Sequence, residues 1–303
     1  MHASRWRNWK IKIMASKRIA VTGSSGFLGS AVVRLLHSKD ITVIPISRKN
    51  GFDICNPETL KNIEPFDVLI HLAAHTFVPD SYNRTAEFFT ININGTLNAL
   101  ELCKKHKAKM IFASSYVYGP PSYLPVDEQH PVNMWNPYAS SKIICEQLCH
   151  VYHREFEVPV DILRIFNIYG PGQNESFLIP KVIKGVFEGQ LNLETLVPKR
   201  DFVHVDDVAD AFLKCAENNT SGYATYNIGS GASYSVQQII DKTEHITQRK
   251  ANITCSEKRR ANEVLDVVAD YSKIKHEKHW QPHITLEQGL IGMIEDYKQK
   301  NSI

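Results

Sequence analysis

Tyr138 and Lys142 stand four residues apart in the run Asn136-Pro137-Tyr138-Ala139-Ser140-Ser141-Lys142, and Ser114 lies upstream in Phe112-Ala113-Ser114-Ser115-Tyr116-Val117-Tyr118-Gly119. If a helix opens at Pro137, residues four apart share one face, a turn apart. That brings an ammonium beside a phenol. The positive charge favours the phenolate and predicts a Tyr138 pKa below the tyrosine reference of about 10. A serine hydroxyl delivered from a separate strand end would hold a carbonyl or alcohol oxygen against the phenol. Such a trio moves protons at a carbinol carbon. Alone, Tyr-x-x-x-Lys suits equally a packed tyrosine with a lysine snorkelling to water, so the weight falls on what lies upstream.

Upstream is a phosphate cradle. The run from Lys17 to Ser30 reads as a short buried strand, a glycine turn and a helix carrying Ala31, Val32, Leu35 and Leu36 on its apolar face. In Gly23-x-x-Gly26-x-x-Gly29, Gly23 allows the tight turn and Gly26 lets backbone approach a pyrophosphate. Gly29 lets helix and strand pack closely, with the helix N-terminus facing the anion.

The elements that would hold these residues follow in order. Ile41–Ile46, Asp67–Leu72, Lys109–Ser114 and Val160–Ile165 read as buried strands, alternating with helical stretches around Thr85 to Lys105 and Tyr138 to Phe156. The alternation predicts an α/β fold, a Rossmann-type doubly wound parallel sheet with ligands beyond the strand carboxyl ends. Residues 17–168 are assigned to this nucleotide-binding domain, and 169–303 mainly to a smaller, interleaved substrate-binding lobe. Residues 1–16, with Trp6, Trp9 and no apolar signal core, are read as a disordered extension, with Met14 a possible start.

With 303 residues, 43% hydrophobic, the chain can bury a full α/β core. Its net charge of +3 is too mild for a nucleic-acid face, and no apolar run is long enough to cross a bilayer. A cytoplasmic location is expected, leaving the sequons at Asn83, Asn174, Asn218, Asn219 and Asn252 unused. Cys55, Cys103, Cys145, Cys149, Cys215 and Cys255 show no paired metal spacing and are read as free, largely buried thiols; no metal is expected.

With its glycine spacing and Tyr138-x-x-x-Lys142, the chain resembles the extended short-chain dehydrogenase/reductase family, in its nucleotide-sugar branch, over nearly its whole length from Lys17. Further marks are His71-Leu72-Ala73-Ala74, Asn92-Ile93-Asn94-Gly95-Thr96, Leu163 to Gly172, Arg200-Asp201-Phe202-Val203-His204-Val205-Asp206-Asp207 and Tyr226 to Gly231. The resemblance implies Ser114, Tyr138 and Lys142 as the catalytic set. It implies a dinucleotide held by Gly23, Ser25, Gly26, Phe27, Leu28, Asp53, Ile54, Leu72, Ala73, Ala74, Thr76, Asn92 and Ile165, besides Tyr138 and Lys142. Asn92 serves equally as a helix cap. A nucleotide-diphosphate sugar would meet Ser114, Tyr116, Asn167, Val182, Arg200, Arg260 and Glu263, with Arg259 a rival to Arg260 as phosphate clamp. His204, Asp206 and Asp207 are structural by family position, one of the aspartates capping a helix near Val208. Homodimerisation through the helices following Arg84 and Tyr138 is also implied.

Strand two ends in Ser47-Arg48-Lys49 with no carboxylate for ribose hydroxyls, so NADP(H) is preferred, with Ser47 and Arg48 on the 2′-phosphate and NAD(H) possible. Dehydratases of the branch carry Asp-Glu directly after the serine or threonine; here Ser115 and Tyr116 stand there, which disfavours dehydration. The short link from Lys49 to Phe52 and the segments His71 to Pro79 and Phe166 to Phe177 are similar to those of GDP-4-keto-6-deoxymannose reductases. The expected reaction is NADPH-dependent reduction of a C4 ketone on a nucleotide-linked 4-keto-6-deoxyhexose. A 4-epimerase with tightly held NAD and a non-catalytic NADP-binding protein stay open as alternatives.

Overall fold

The computed structural model describes residues 17–217, 222–256 and 264–303. Five strands with near-continuous apolar sequence, β1 (Arg18–Thr22), β2 (Thr42–Ile46), β3 (Val68–His71), β4 (Lys109–Ser115) and β5 (Val160–Ile165), lie parallel in one sheet. Both faces of a parallel sheet are covered by helices, so its strands need apolar side chains on both sides. Helices α1 (Phe27–His37), α2 (Pro57–Leu60), α3 (Val78–Asn83), α4 (Thr85–His106) and α5 (Pro137–Phe156) connect them. The α5 start follows from local chemistry: Asn136 caps it, its side chain accepting the Ala139 N–H at 2.8 Å, and Pro137 takes the first position, where no donor is needed.

The second half runs β6 (Asn167–Tyr169), α6 (Leu178–Glu188), β7 (Gln190–Leu193), β8 (Lys199–His204), α7 (Val205–Glu217), β9 (Tyr223–Ile228), β10 (Ser233–Ser235), α8 (Val236–Thr247), β11 (Asn252–Cys255), α9 (Ser272–Lys278) and α10 (Leu286–Asn301). The main sheet has the order β2-β1-β3-β4-β5-β9. The chain thus returns from the lobe to add β9 to the edge, and α7 packs beside α1. Ile19 and Val21 of β1 enter the core built with α1 and α7, whereas Ala20 enters the opposite core with Cys103, Cys145 and Cys149 of α4 and α5. A third core, around Tyr169, Ile179, Val182, Ile239 and Leu290, belongs to the lobe.

The expected aspartate cap is corrected here. Because α7 opens at Val205, both aspartates fall inside its first turn. Asp207 accepts the N–H groups of His283 and Ile284 at 3.1 and 3.0 Å, tying the C-terminal segment to the sheet layer, while Asp206 pairs with Arg34 of α1 at 2.6 Å. All six cysteines are free, four of them buried. Among the described residues no helix is long and apolar enough to cross a membrane, and no cluster of ligands suits a metal.

Candidate active site

At the carboxyl ends of β1, β2 and β3 lies a cleft of about 420 Å³. Gly23, Ser25, Gly26, Ser47, Arg48, Asp53, Ile54, Leu72, Ala73 and Ala74 of the expected cofactor set line it. Gly23 is left-handed, with φ of 65°, and a Cβ there would come within 2.9 Å of the Ala73 nitrogen. A Cβ on Gly29 would meet the Gly23 carbonyl oxygen at 2.1 Å, so only glycine lets α1 seat against the turn. Gly26 caps α1 without a side-chain hydrogen bond, and the first turn has no acid. The positive end of the helix is therefore open to an anion. Arg48 and Lys49, just beyond the end of β2, also line the cleft. Asp53, the one carboxylate among the described lining residues, is turned into its own loop, where it accepts the Cys55 N–H at 2.9 Å. This donor set fits a dinucleotide carrying an extra phosphate.

Several expected contacts are rearranged. The Ser47 hydroxyl donates to Asn50, which leaves the cationic role to Arg48 and Lys49. Asn92 lies within α4, buried, and neither caps a helix nor faces the cleft directly. Its amide oxygen accepts the His75 N–H at 2.8 Å, and its amide nitrogen donates to the His75 carbonyl at 3.2 Å and to Ser141 Oγ at 2.9 Å. It braces the loop after β3. Thr76 is exposed; Phe27, Leu28 and Ile165 lie in or against the core formed with α1.

Tyr138 and Lys142 share one face of α5, but the phenol and ammonium do not behave as the spacing suggested. Lys142 is buried and its Nζ donates to the Ala113 carbonyl at 2.7 Å, 4.7 Å from the centre of the Phe112 ring. Burial lowers its pKa. Tyr138 packs edge-on against Phe88 at 6.5 Å, and burial raises its pKa, partly offset by a hydrogen bond from Ser115. The expected depression is thus overturned: loss of hydration outweighs an ammonium engaged elsewhere.

The hydroxyl beside the phenol is that of Ser115. Ser114 is buried and donates to Glu146 Oε1 at 2.5 Å. Glu146, one turn beyond Lys142 on α5, is gripped by Arg164 of β5, whose NH2 donates to Oε2 at 2.7 Å and whose Nε donates to Oε1 at 3.1 Å. Register makes this possible, since Ser114 and Arg164 are paired across β4 and β5. The third guanidinium nitrogen, NH1, donates at 3.1 Å to the Tyr118 hydroxyl, which donates to Asn227 of β9 at 2.6 Å. Sequence reasoning left out Glu146 and Arg164. A carboxylate four residues after Lys142, and an arginine inside an otherwise apolar strand, were the available signals.

The expected sugar-nucleotide contacts are only partly brought together. Arg200 of β8 donates to the Val264 carbonyl at 2.6 Å and its charge acts on Tyr116, whose hydroxyl donates to the Gly119 carbonyl. Asn167 is exposed on β6. Val182 is fully buried in the lobe core, so it is corrected from a substrate contact to a packing residue. Arg259, Arg260, Glu263 and residues 1–16 lie outside the described residues.

Comparison with known proteins places this geometry among relatives. The model of the NAD dependent epimerase/dehydratase family matches residues 19–229. The GDP-6-deoxy-D-mannose reductase of Pseudomonas aeruginosa is 30% identical, over 94% of this chain and 98% of its own. A putative UDP-glucose 4-epimerase of Methanocaldococcus jannaschii is 32% identical, over 93% of this chain and 99% of its own. The solved structure of RMD from Pseudomonas aeruginosa complexed with NADPH superposes with a TM-score of 0.87 at 30% identity, covering 94% of this chain and all of that one, at 100%.

Proposed function

The chain belongs to the NAD dependent epimerase/dehydratase family, and on that premise we propose that it reduces the C4 ketone of a nucleotide-linked 4-keto-6-deoxyhexose, of the GDP-4-keto-6-deoxymannose kind, with NADPH. The observation that carries the choice of a reductase is the part of the cleft beyond β2, where Arg48 and Lys49 stand and Asp53, the one carboxylate among the described lining residues, is engaged in its own turn. This lining favours a 2′-phosphate, and a cofactor that must be replaced each turnover suits a reductase. The relative from Pseudomonas and the NADPH complex support the same reading.

Bound, the nicotinamide supplies a hydride to C4. Tyr138 gives its phenolic proton to the C4 oxygen, and burial keeps that proton in place until it is needed. Ser115 donates to the phenol oxygen and stabilises the charge that gathers there. Ser114 acts through Glu146, fixing the end of β4 from which Ser115 projects. Lys142 holds β4 through Ala113 and supplies the local positive charge. Neither Ser115 nor Tyr116 provides the acid and base that elimination of water would need. Arg200, with Arg260, takes the substrate's phosphates. Homodimerisation would use α4 and α5, which expose Leu97, Val151 and Phe156.

The test is NADPH absorbance on mixing with GDP-4-keto-6-deoxymannose and, in parallel, with the dTDP and UDP 4-keto-6-deoxyglucose analogues. Stoichiometric oxidation with one of them is expected. The second reading, a 4-epimerase, is favoured by the Methanocaldococcus relative; silence with all three ketones and cofactor-free conversion of UDP-galactose would establish it instead.

A further inference from the structure

His71, the last residue of β3, is buried beside Thr22 at the end of β1, where the two cleft loops begin, and none of the chemistry above uses it. Its Nδ1 lies 2.7 Å from Thr22 Oγ1 and its Nε2 lies 3.3 Å from Thr96 Oγ1. The neighbours decide where the proton sits. Thr22 Oγ1 already accepts the N–H groups of Leu72 and Ala73 at 3.0 and 3.2 Å, so its own hydrogen is the one directed at Nδ1. Thr96 donates its hydrogen to the Asn92 carbonyl at 2.8 Å, so its oxygen is left to accept from Nε2–H. The opposite tautomer would place three donors on Thr22 and leave its hydroxyl hydrogen without an acceptor.

We propose that His71 is a positioning residue of the dinucleotide cleft, locked as the neutral Nε2–H tautomer, whose two hydrogen bonds tie the end of β3, where one cleft loop begins, to Thr22 at the end of β1 and to Thr96 of α4. The inference rests on the reading that this cleft holds a dinucleotide. Both loops line the cleft, and they meet where a Cβ on Gly23 would touch Ala73. From Thr96 the order continues: Asn92 holds the His75 backbone and donates to Ser141 Oγ, which donates to the Tyr138 carbonyl at 2.7 Å. One chain of hydrogen bonds therefore runs from the phosphate turn to the backbone of Tyr138. The charge of Lys142 acts on the ring, and the ring stacks on Phe112 at 5.9 Å. A neutral imidazole spares Lys142 a like charge in a buried site, and burial with Lys142 pushes the ring down to about 3.

The test uses the full chain labelled with ¹⁵N-histidine, the His71 resonances being those missing from His71→Phe. A protonated Nε2 and an unprotonated Nδ1 are expected, unchanged between about pH 5 and about pH 9, where an ordinary histidine titrates. In parallel, NADPH affinity is measured without any sugar. His71→Phe is expected to raise the NADPH Kd on the order of 10- to 100-fold, the scale of one or two buried partners lost, while leaving GDP and UDP binding unchanged. Thr22→Val, which keeps the ring and removes its donor, should move the NADPH Kd the same way even if the first variant folds poorly. Wild-type protein that binds no dinucleotide overturns the cleft reading and this inference with it. Tight wild-type binding that both variants preserve, or a ring that is Nδ1-protonated or titrates, overturns the inference alone.

Discussion

Glu146→Leu removes the carboxylate that joins Ser114 to Arg164, and its cost can be worked from the contacts. Three hydrogen bonds vanish, at 2.5, 2.7 and 3.1 Å, and the side chains of the pair are only 5% and 11% exposed. Arg164 would keep its charge with the Tyr118 hydroxyl as its remaining partner at 3.1 Å. Breaking one side of a buried ion pair costs about 3–5 kcal/mol, because the other charge stays buried without compensation. At roughly 1.6 °C per kcal/mol for a chain of 303 residues, the midpoint should fall by about 5–8 °C. Urea unfolding gives the free energy directly, and the double variant Glu146→Leu with Arg164→Met isolates the coupling. With both charges gone, the double variant should recover at least about 2 kcal/mol of the single variant's loss. A single variant costing under about 1 kcal/mol, or a double variant costing the sum of its parts, would refute the argument that the pair is a coupled, desolvated unit.

Four further outcomes follow from the site. Tyr138→Phe should lower turnover by about 100-fold or more with NADPH binding kept, the scale of a positioned proton donor. Ser115→Ala should approach that loss and Ser114→Ala should not; steady-state rates in the reverse order would return the role to Ser114. Arg48→Ala should cut the NADPH over NADH preference about 10-fold, as expected when a guanidinium leaves a phosphate, and an unchanged ratio of kcat/KM values would remove Arg48 from the site. The fourth concerns pH. His71 is held well below its unfolded value of about 6.5, down to about 3. Between those values the unfolded chain binds the extra proton, so this contribution to stability is complete above about pH 6.5 and is lost as pH falls toward about 3. His71→Asn should flatten the acid limb of stability against pH by up to about 1.4 kcal/mol per pH unit, read from urea midpoints across that range.

The glycine turn, the five strands β1 to β5 and the start of α5 at Pro137 were legible in the sequence because each rests on local physics. Continuous apolar runs make parallel strands, Asn-Pro opens a helix, and three glycines at fixed spacing can serve only a close backbone approach. The family resemblance added the expectation of a catalytic trio, of which the structure sets Ser114 against Glu146, and named most of the residues that line the cleft. Misreadings arose where the answer depends on what faces a side chain. Asn92 looks like a cap or a cofactor contact until the fold brings the His75 backbone and Ser141 to it. Val182 carries no mark that separates a pocket wall from a lobe core.

What the sequence alone determined is therefore the fold class and the dinucleotide cradle, and it proposed which residues move a proton. Only tertiary structure decided which of two adjacent serines meets Tyr138 and which is taken by Glu146. It also decided the direction of the Tyr138 pKa. Both outcomes depend on desolvation and on register between β4 and β5, quantities that arise when distant segments exclude water together. Spacing along the chain sets which groups can be near one another; the burial that reverses or strengthens their influence is a property of the assembled layers.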